Sequence, residues 1–129
     1  MAYTFKWEEK GFYIRYFGKT DAAEVIDANE AFFNDPRSES VRYQINDYSE
    51  AIPGNVEMID VDYITALDLG GSFSIHGLLV AFIASNEEII KYTNYYIDLM
   101  RRSESDWKFK IFENSAQAYL WIAEESQPS

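Results

Sequence analysis

The sequence predicts an α/β domain with the element order β-β-α-β-α-β-α-β-α. Three observations lead to this order: an aromatic hairpin at the start, strand-like and helix-like segments that then alternate, and one apolar run without alternation. The 129 residues, 47% of them hydrophobic, suffice for one core. We therefore expect a single domain over residues 1–129, with a flexible tail over residues 124–129.

The hairpin comes first. Apolar and polar side chains alternate from Tyr3 to Glu8, which is the period of a half-buried strand. Residues 9–11 can make a tight turn, because Gly11 can adopt a positive φ. Residues 12–17 then form the second strand.

The first helix begins at Asp21, which has Glu24 three residues later, the spacing of a capping box. Its end is set by Asp35-Pro36, since a residue before proline avoids the helical region. One polar residue, Asn29, interrupts an inward stripe that otherwise consists of Ala22, Val25, Ile26, Phe32 and Phe33.

The third strand follows from the alternation over residues 41–46, and we expect it to end near Asp47. A loop through Pro53-Gly54 leads to the second helix, which Gly70-Gly71 ends. The stripe that we expect to face the core comprises Val56, Ile59, Tyr63, Ile64 and Leu67.

The run Leu78–Ala84 is apolar without alternation, as in a central strand covered on both faces. A helix capped within residues 85–88 follows and ends at Arg101-Arg102, where cations suit the helix dipole. Residues 107–111 alternate as a fifth strand, and residues 114–117 cap a last helix. Strands separated by helices should be parallel neighbours, so the hairpin adds one antiparallel edge strand to a mixed, mostly parallel five-stranded sheet.

The charge excludes several function classes. With 22 acidic and 11 basic residues the formal net charge is −11, which repels nucleic acids and anionic membrane surfaces. The absence of cysteine excludes disulfides, thiol catalysis and cysteine zinc sites. No segment resembles a signal peptide or is long enough to be inserted in a membrane, so we expect a cytoplasmic protein.

The sequence gives little support for a catalytic site or a metal site. The single histidine, His76, lies near Ser72 and Ser74, but this glycine-rich segment is better explained as a flexible connector. Asp60 with Asp62 and Glu87 with Glu88 fit solvated helix surfaces better than metal sites. We therefore predict no catalytic residue, no metal and no cofactor.

The ten tyrosines and nine phenylalanines leave two alternatives open. The tyrosines could form an exposed aromatic surface of the kind found in interfaces, which would favour a homodimer. They could instead bury their rings and keep their hydroxyls at the rim of the core. The residues concerned are Tyr13, Tyr16 and Phe17 on the hairpin, together with Tyr92, Tyr95, Tyr96 and Tyr119 on the helices.

Two segments carry a family resemblance. Residues 11–21 (GFYIRYFGKTD) are similar to the opening strand and turn of the SpoIIAA-like superfamily, which includes the STAS domains and their SEC14-related cousins. Residues 42–47 (RYQIND) resemble the strand that precedes its functional loop. With the element order, the resemblance covers residues 3–125, and Trp7-Glu8-Glu9 is similar to the first turn of short stand-alone bacterial members.

The resemblance implies a regulatory role, with one departure. Anti-sigma factor antagonists of this fold are phosphorylated on a serine or threonine at the start of helix two, where residues 51–57 (AIPGNVE) here have no hydroxyl. Ser49 is a displaced candidate for modification, although a loop that satisfies its own backbone explains Asp47-Tyr48-Ser49 more simply. The candidate partner-binding residues are Asp47, Tyr48, Ser49, Gly54, Asn55 and Val56.

The sequence therefore predicts a non-enzymatic regulatory or scaffold domain that binds a protein partner through the loop from Tyr48 to Val56. The alternative, implied by the SEC14-related members and the aromatic content, is a binder of a small apolar or lipid-like ligand. That function requires an aromatic-lined pocket of roughly 300 Å³ between a helix and the sheet.

Overall fold

A computed structural model describes residues 3–127, and its elements follow the predicted order with one added 3-10 helix. The strands are β1 (Tyr3–Trp7), β2 (Gly11–Thr20), β3 (Tyr43–Pro53), β4 (Leu79–Ile83) and β5 (Lys108–Phe112). The helices are α1 (Ala22–Asn34), α2 (Met58–Gly71), α3 (Glu87–Arg102) and α4 (Ser115–Glu125), and the 3-10 helix (Pro36–Ser40) follows α1.

The five strands form one mixed sheet in the order β1-β2-β3-β4-β5. The hairpin pair β1 and β2 is antiparallel, and each later neighbour is parallel, as the sequence predicts. Each parallel connection moves the chain one strand in the same direction, and right-handed crossovers then place their helices on one face. The main core lies on this face, under α1, α2 and α3, whereas α4 packs on the opposite face against Ile45, Leu79 and Ala81.

Strand β3 is longer than predicted, since it continues past Asp47 to Pro53. Arg15 pairs with Asp47 but Phe17 pairs with Glu50, so β3 has one extra residue at this point, a β-bulge. Pairing with β4 stops at Asp47, whereas pairing with β2 continues to Pro53. Residues 17–20 and 50–53 therefore extend beyond the sheet as a two-stranded ribbon.

The six tyrosines follow the second of the two alternatives in packing their rings against the core. Five of them bond their hydroxyls within the domain, whereas the hydroxyl of Tyr16 is buried without a partner among the described residues. The hydroxyl of Tyr92 donates to the carbonyl oxygen of Val56 at 3.0 Å, and that of Tyr95 donates to Asp62 Oδ1 at 2.8 Å. Their aromatic content is therefore explained largely by packing within the domain.

Two further predictions about the chain need correction or restriction. Asp21 precedes α1 as predicted but makes no side-chain cap to it, so the expected capping box is absent. In the predicted tail, Glu124 and Glu125 belong to α4, while residues 128–129 lie outside the described residues. Among the described helices, none combines the length and hydropathy that crossing a membrane requires.

Candidate functional site

The six predicted partner-binding residues lie close together along the chain but face different surroundings. Asp47, Tyr48 and Ser49 belong to β3, and only Gly54, Asn55 and Val56 lie in the connection to α2. The predicted loop from Tyr48 to Val56 is therefore mostly strand, because residues 50–53 pair with β2.

Asp47, Tyr48 and Ser49 lie at the β-bulge, and their side chains have different surroundings. Asp47 is buried and accepts hydrogen bonds from the Tyr13 hydroxyl at 2.5 Å and from the Ser49 amide at 2.9 Å. Ser49 is exposed at the ribbon, whereas Tyr48 stacks on the buried ring of Tyr16 with centroids 4.7 Å apart. The side chains of Tyr48 and Asp47 thus make contacts within the domain, whereas Ser49 is accessible from solvent.

The connection from β3 to α2 is tied to the start of α1. The amide of Gly54 donates to the carbonyl oxygen of Thr20 at 2.9 Å, and that of Asn55 donates to Asp21 Oδ1 at 2.7 Å. A Cβ at Gly54 would lie 2.8 Å from the Thr20 oxygen, so this close approach requires glycine. The carboxylate of Asp21 therefore holds the connection instead of capping its own helix.

Behind this connection lies a cavity of about 100 Å³ between the sheet and helices α1, α2 and α3. Tyr48 and Val56, two of the predicted residues, line it. Among the lining residues that the structure describes, Ile52 alone is exposed, so the cavity opens beside the end of β3. Most of the wall is apolar and includes Val25, Val61, Ile64, Phe82, Ile89 and Tyr92.

Polar side chains enter the cavity from three elements. Asn29 comes from α1, Gln44 and Asn46 from the helix-covered face of β3, and Asp68 from α2. All four are deeply buried, with exposed fractions of 8%, 7%, 5% and 6%. A convergence of buried polar groups on an apolar cavity is typical of binding sites for small molecules.

Asp68 is the one acidic side chain among the described lining residues. Burial raises the pKa of its carboxyl to about 7, although a hydrogen bond from the Tyr96 hydroxyl acts in the opposite direction. The cavity thus holds a carboxyl that changes charge near neutral pH. It lacks the second carboxylate that acid–base hydrolysis of the paired type uses.

Helix α2 faces the core with only part of the predicted stripe: Val56 and Ile64 pack against the core, but Ile59 and Tyr63 do not. Its buried residues are Val61, Thr65 and Asp68, while Ile59 is 70% exposed and Tyr63 is 46% exposed. The reason is that α2 is apolar on more than one side, and Asp68 faces a cavity that the sequence does not reveal. The helix therefore presents an apolar outer side, which we call the α2 surface: Met58, Ile59 and Tyr63, with Ile52 preceding them on β3.

Acidic groups surround the α2 surface. The α2 helix begins with a capping box in which the Glu57 amide donates to Asp60 Oδ2 at 2.8 Å and the Glu57 side chain accepts in return. Glu57 and Asp62 are exposed, as is Glu50 on the ribbon. The surface is thus an apolar area with a negatively charged border.

A separate polar cluster lies on the other face of the sheet, beneath α4. The carboxylate of Glu8 accepts hydrogen bonds from the hydroxyls of Tyr43 at 2.5 Å and Tyr119 at 2.8 Å. Burial opposes ionisation of Glu8, but these bonds and Lys6 outweigh it, so the pKa of Glu8 lies below its ordinary value. The cluster joins the β1–β2 turn to α4 and is fully explained by that role.

The histidine region has no comparable geometry. His76 is exposed and lies 3.5 Å from Asp106, while the Ser72 hydroxyl donates to the carbonyl oxygen of Leu69. Within residues 3–127 no three acidic or histidine side chains form a group that could hold a metal ion.

The cavity residues were missed from the sequence, although one signal was present. Asn29 is the single polar residue in the predicted stripe of α1, and it is the residue that enters the cavity from that helix. Gln44 and Asn46 carried a similar signal as polar residues of an interior strand. Asp68 gave no such signal, because its position in the helical pattern predicted a solvent-exposed side chain.

The domain therefore offers an outer apolar surface on α2 and an inner cavity behind it. No protein-family model, curated protein or solved structure matches this chain.

Proposed function

We propose that this domain is a regulatory or scaffold module that binds a protein partner through the α2 surface. The observation that carries the proposal is the orientation of α2, whose polar Thr65 and Asp68 are buried while apolar Ile59 and Tyr63 face solvent. Apolar side chains with a polar border are the usual anatomy of a protein interface.

The border defines the chemistry of the partner. Glu57 and Asp62 are exposed next to the apolar side chains along the chain, whereas Glu50 pairs with Arg15, and the whole chain carries a formal charge of −11. A partner segment with apolar anchors flanked by lysine or arginine would complement it, with the charges acting mainly on association rate and specificity.

The resemblance to SpoIIAA-like domains adds support, since it implies that the start of helix two contacts the partner. The missing hydroxyl at residues 51–57 argues for binding that is not switched there by phosphorylation. Ser49, exposed on the adjacent ribbon, remains the proposed position for a modification if one occurs.

Site-specific photocrosslinking in living cells tests the proposal. A photoreactive phenylalanine analogue would replace Tyr63 in one variant and Leu120 in the control, because Leu120 is 62% exposed on α4. We expect one discrete crosslinked protein at position 63 and none at position 120. Adducts of equal pattern at both positions, or only a second copy of this chain at position 63, would contradict the proposal.

A further inference from the structure

The amide side chains of the cavity are not satisfied by the protein. Asn46 Nδ2 donates to Gln44 Oε1 at 3.1 Å, and within residues 3–127 this is the only side-chain hydrogen bond among Asn29, Gln44 and Asn46. The side-chain amide of Asn29 therefore has no protein partner. In the Gln44–Asn46 pair, the Gln44 amide nitrogen remains free to donate and the Asn46 amide oxygen remains free to accept. Exchanging the O and N atoms of Gln44 and Asn46 together still leaves one amide nitrogen and one amide oxygen free.

The free amide atoms face the cavity. Among the described residues, the side-chain polar atoms that are fully buried without a hydrogen-bond partner are Trp7 Nε1, Tyr16 Oη and Glu24 Oε2, so the unpartnered amide atoms of Asn29, Gln44 and Asn46 keep access to the cavity. Three amides that are at least 92% buried and share one cavity thus form a preformed set of donors and acceptors. Such a set is suited to a ligand group that both accepts and donates hydrogen bonds.

The remaining walls limit the size and charge of that ligand. A cavity of about 150 Å³ accommodates benzene, so the cavity of about 100 Å³ here is smaller than a whole ring needs, and a ligand of one ring would extend through the mouth beside Ile52. No lysine, arginine or histidine is among the described lining residues, so an anion would meet no cation there. An acyl chain would need a pocket of roughly 300 Å³, the size that the alternative function of binding a lipid-like ligand requires.

We propose that the cavity binds a small neutral molecule, about one ring in size, whose primary amide or lactam group is recognised by Asn29, Gln44 and Asn46. The apolar wall contacts the ring, and the amide edge pairs with the free donors and acceptors of the three side chains. The site shares only Ile52 with the α2 surface, and the three amides lie outside that surface, so each proposal can fail without the other.

The test is a protein-observed NMR titration of the full chain with benzamide, benzoate and toluene. We expect benzamide to shift the side-chain amide signals of Asn29, Gln44 and Asn46 in a saturable manner, and to bind at least tenfold more tightly than benzoate or toluene. Equal affinity for benzamide and toluene, or no saturable shift with any of the three compounds, would overturn the proposal.

A variant separates recognition from a structural role. Asn29→Leu should weaken benzamide binding at least tenfold and leave toluene affinity within twofold, because leucine removes the amide but keeps a side chain of similar size. The matched control is Asn94→Leu on the exposed side of α3, which should leave benzamide affinity unchanged. A lower melting temperature with unchanged benzamide affinity would show that Asn29 is structural, and Asn29→Ala provides the same binding comparison if the leucine is not accommodated.

Discussion

The hydroxyl of Tyr96 on α3 donates a hydrogen bond to the Asp68 carboxylate on α2. Both side chains are buried and line the cavity, so the bond joins two helices across its wall. Burial raises the pKa of Asp68 from 3.8 to about 7, because the ionised form loses its hydration there.

Asp68→Asn should reduce the pH dependence of stability. The folded state holds the Asp68 proton more tightly than the unfolded state, so this group favours folding most below pH 3.8 and progressively less as pH rises to about 7. Relative to the asparagine variant, the wild type should lose up to about 4 kcal/mol of unfolding free energy between pH 4 and pH 8. Denaturant unfolding of both proteins across this range measures it, and parallel pH profiles would contradict the burial of an ionisable Asp68.

Glu8→Ala should loosen α4. The variant removes the acceptor shared by Tyr43 and Tyr119, leaving two half-buried hydroxyls without it, and should cost about 2 kcal/mol of unfolding free energy. Since the Glu8 pKa is lowered on folding, its contribution is present above pH 4.5 and disappears as pH falls through the folded-state value. Hydrogen exchange should accelerate in residues 115–125, whereas Glu9→Ala, at an exposed neighbour, should leave α4 unchanged.

The adjacent glycines at the end of α2 should respond oppositely to alanine. A Cβ at Gly71 would lie 2.2 Å from the Phe33 ring, whereas a Cβ at Gly70 meets nothing within 4 Å. We expect Gly71→Ala to destabilise the protein by about 1–3 kcal/mol through overpacking, and Gly70→Ala to stabilise it by about 0.5–1 kcal/mol through helix propensity. Thermal unfolding of the pair measures both effects, and equal melting temperatures would show that α1 and α2 do not approach closely at Phe33.

Ile59→Lys should weaken partner binding without harming the fold. Ile59 is 70% exposed, so its replacement should change the unfolding free energy by no more than about 0.5 kcal/mol. With the partner identified by crosslinking and then purified, the variant should bind at least tenfold more weakly. Leu120→Lys is the control on the other side of the domain, and similar affinities for both variants would exclude the α2 surface as the interface.

The element order could be predicted because each segment had a strong local pattern. The alternation from Tyr3, the proline after Asp35 and the unbroken apolar run of β4 are signals within a few residues of one another. The fold class is confirmed on these grounds. The predicted side-chain cap of α1 was wrong because the Asp21 carboxylate accepts a hydrogen bond from the Asn55 amide instead. That contact spans 34 residues, and no local pattern encodes it.

The site could be predicted only in part. The end of β3 was missed because the bulge after Asp47 interrupts alternation without ending the pairing. Tyr48 and Val56 line the cavity. The predicted inward side of α2 was right for Val56 and Ile64 but wrong for Ile59 and Tyr63, which are exposed, and it omitted Asp68, which faces the cavity. A prediction from periodicity assumes that polar residues face solvent. The buried polar residues that line this cavity do not follow that rule.

The ribbon of residues 17–20 and 50–53 determines how a molecule reaches the cavity. Within residues 3–127, no third strand is bonded to either side of it, so a change in its twist would displace Ile52 and Pro53 while the hydrogen bonds between β3 and β4 stay intact. The cavity opens beside Ile52, so bending of these two strands would change the width of its mouth without separating packed helices. Exchange of a bound molecule should consequently be fast compared with unfolding of the domain, and its rate should depend on the stiffness of four residue pairs.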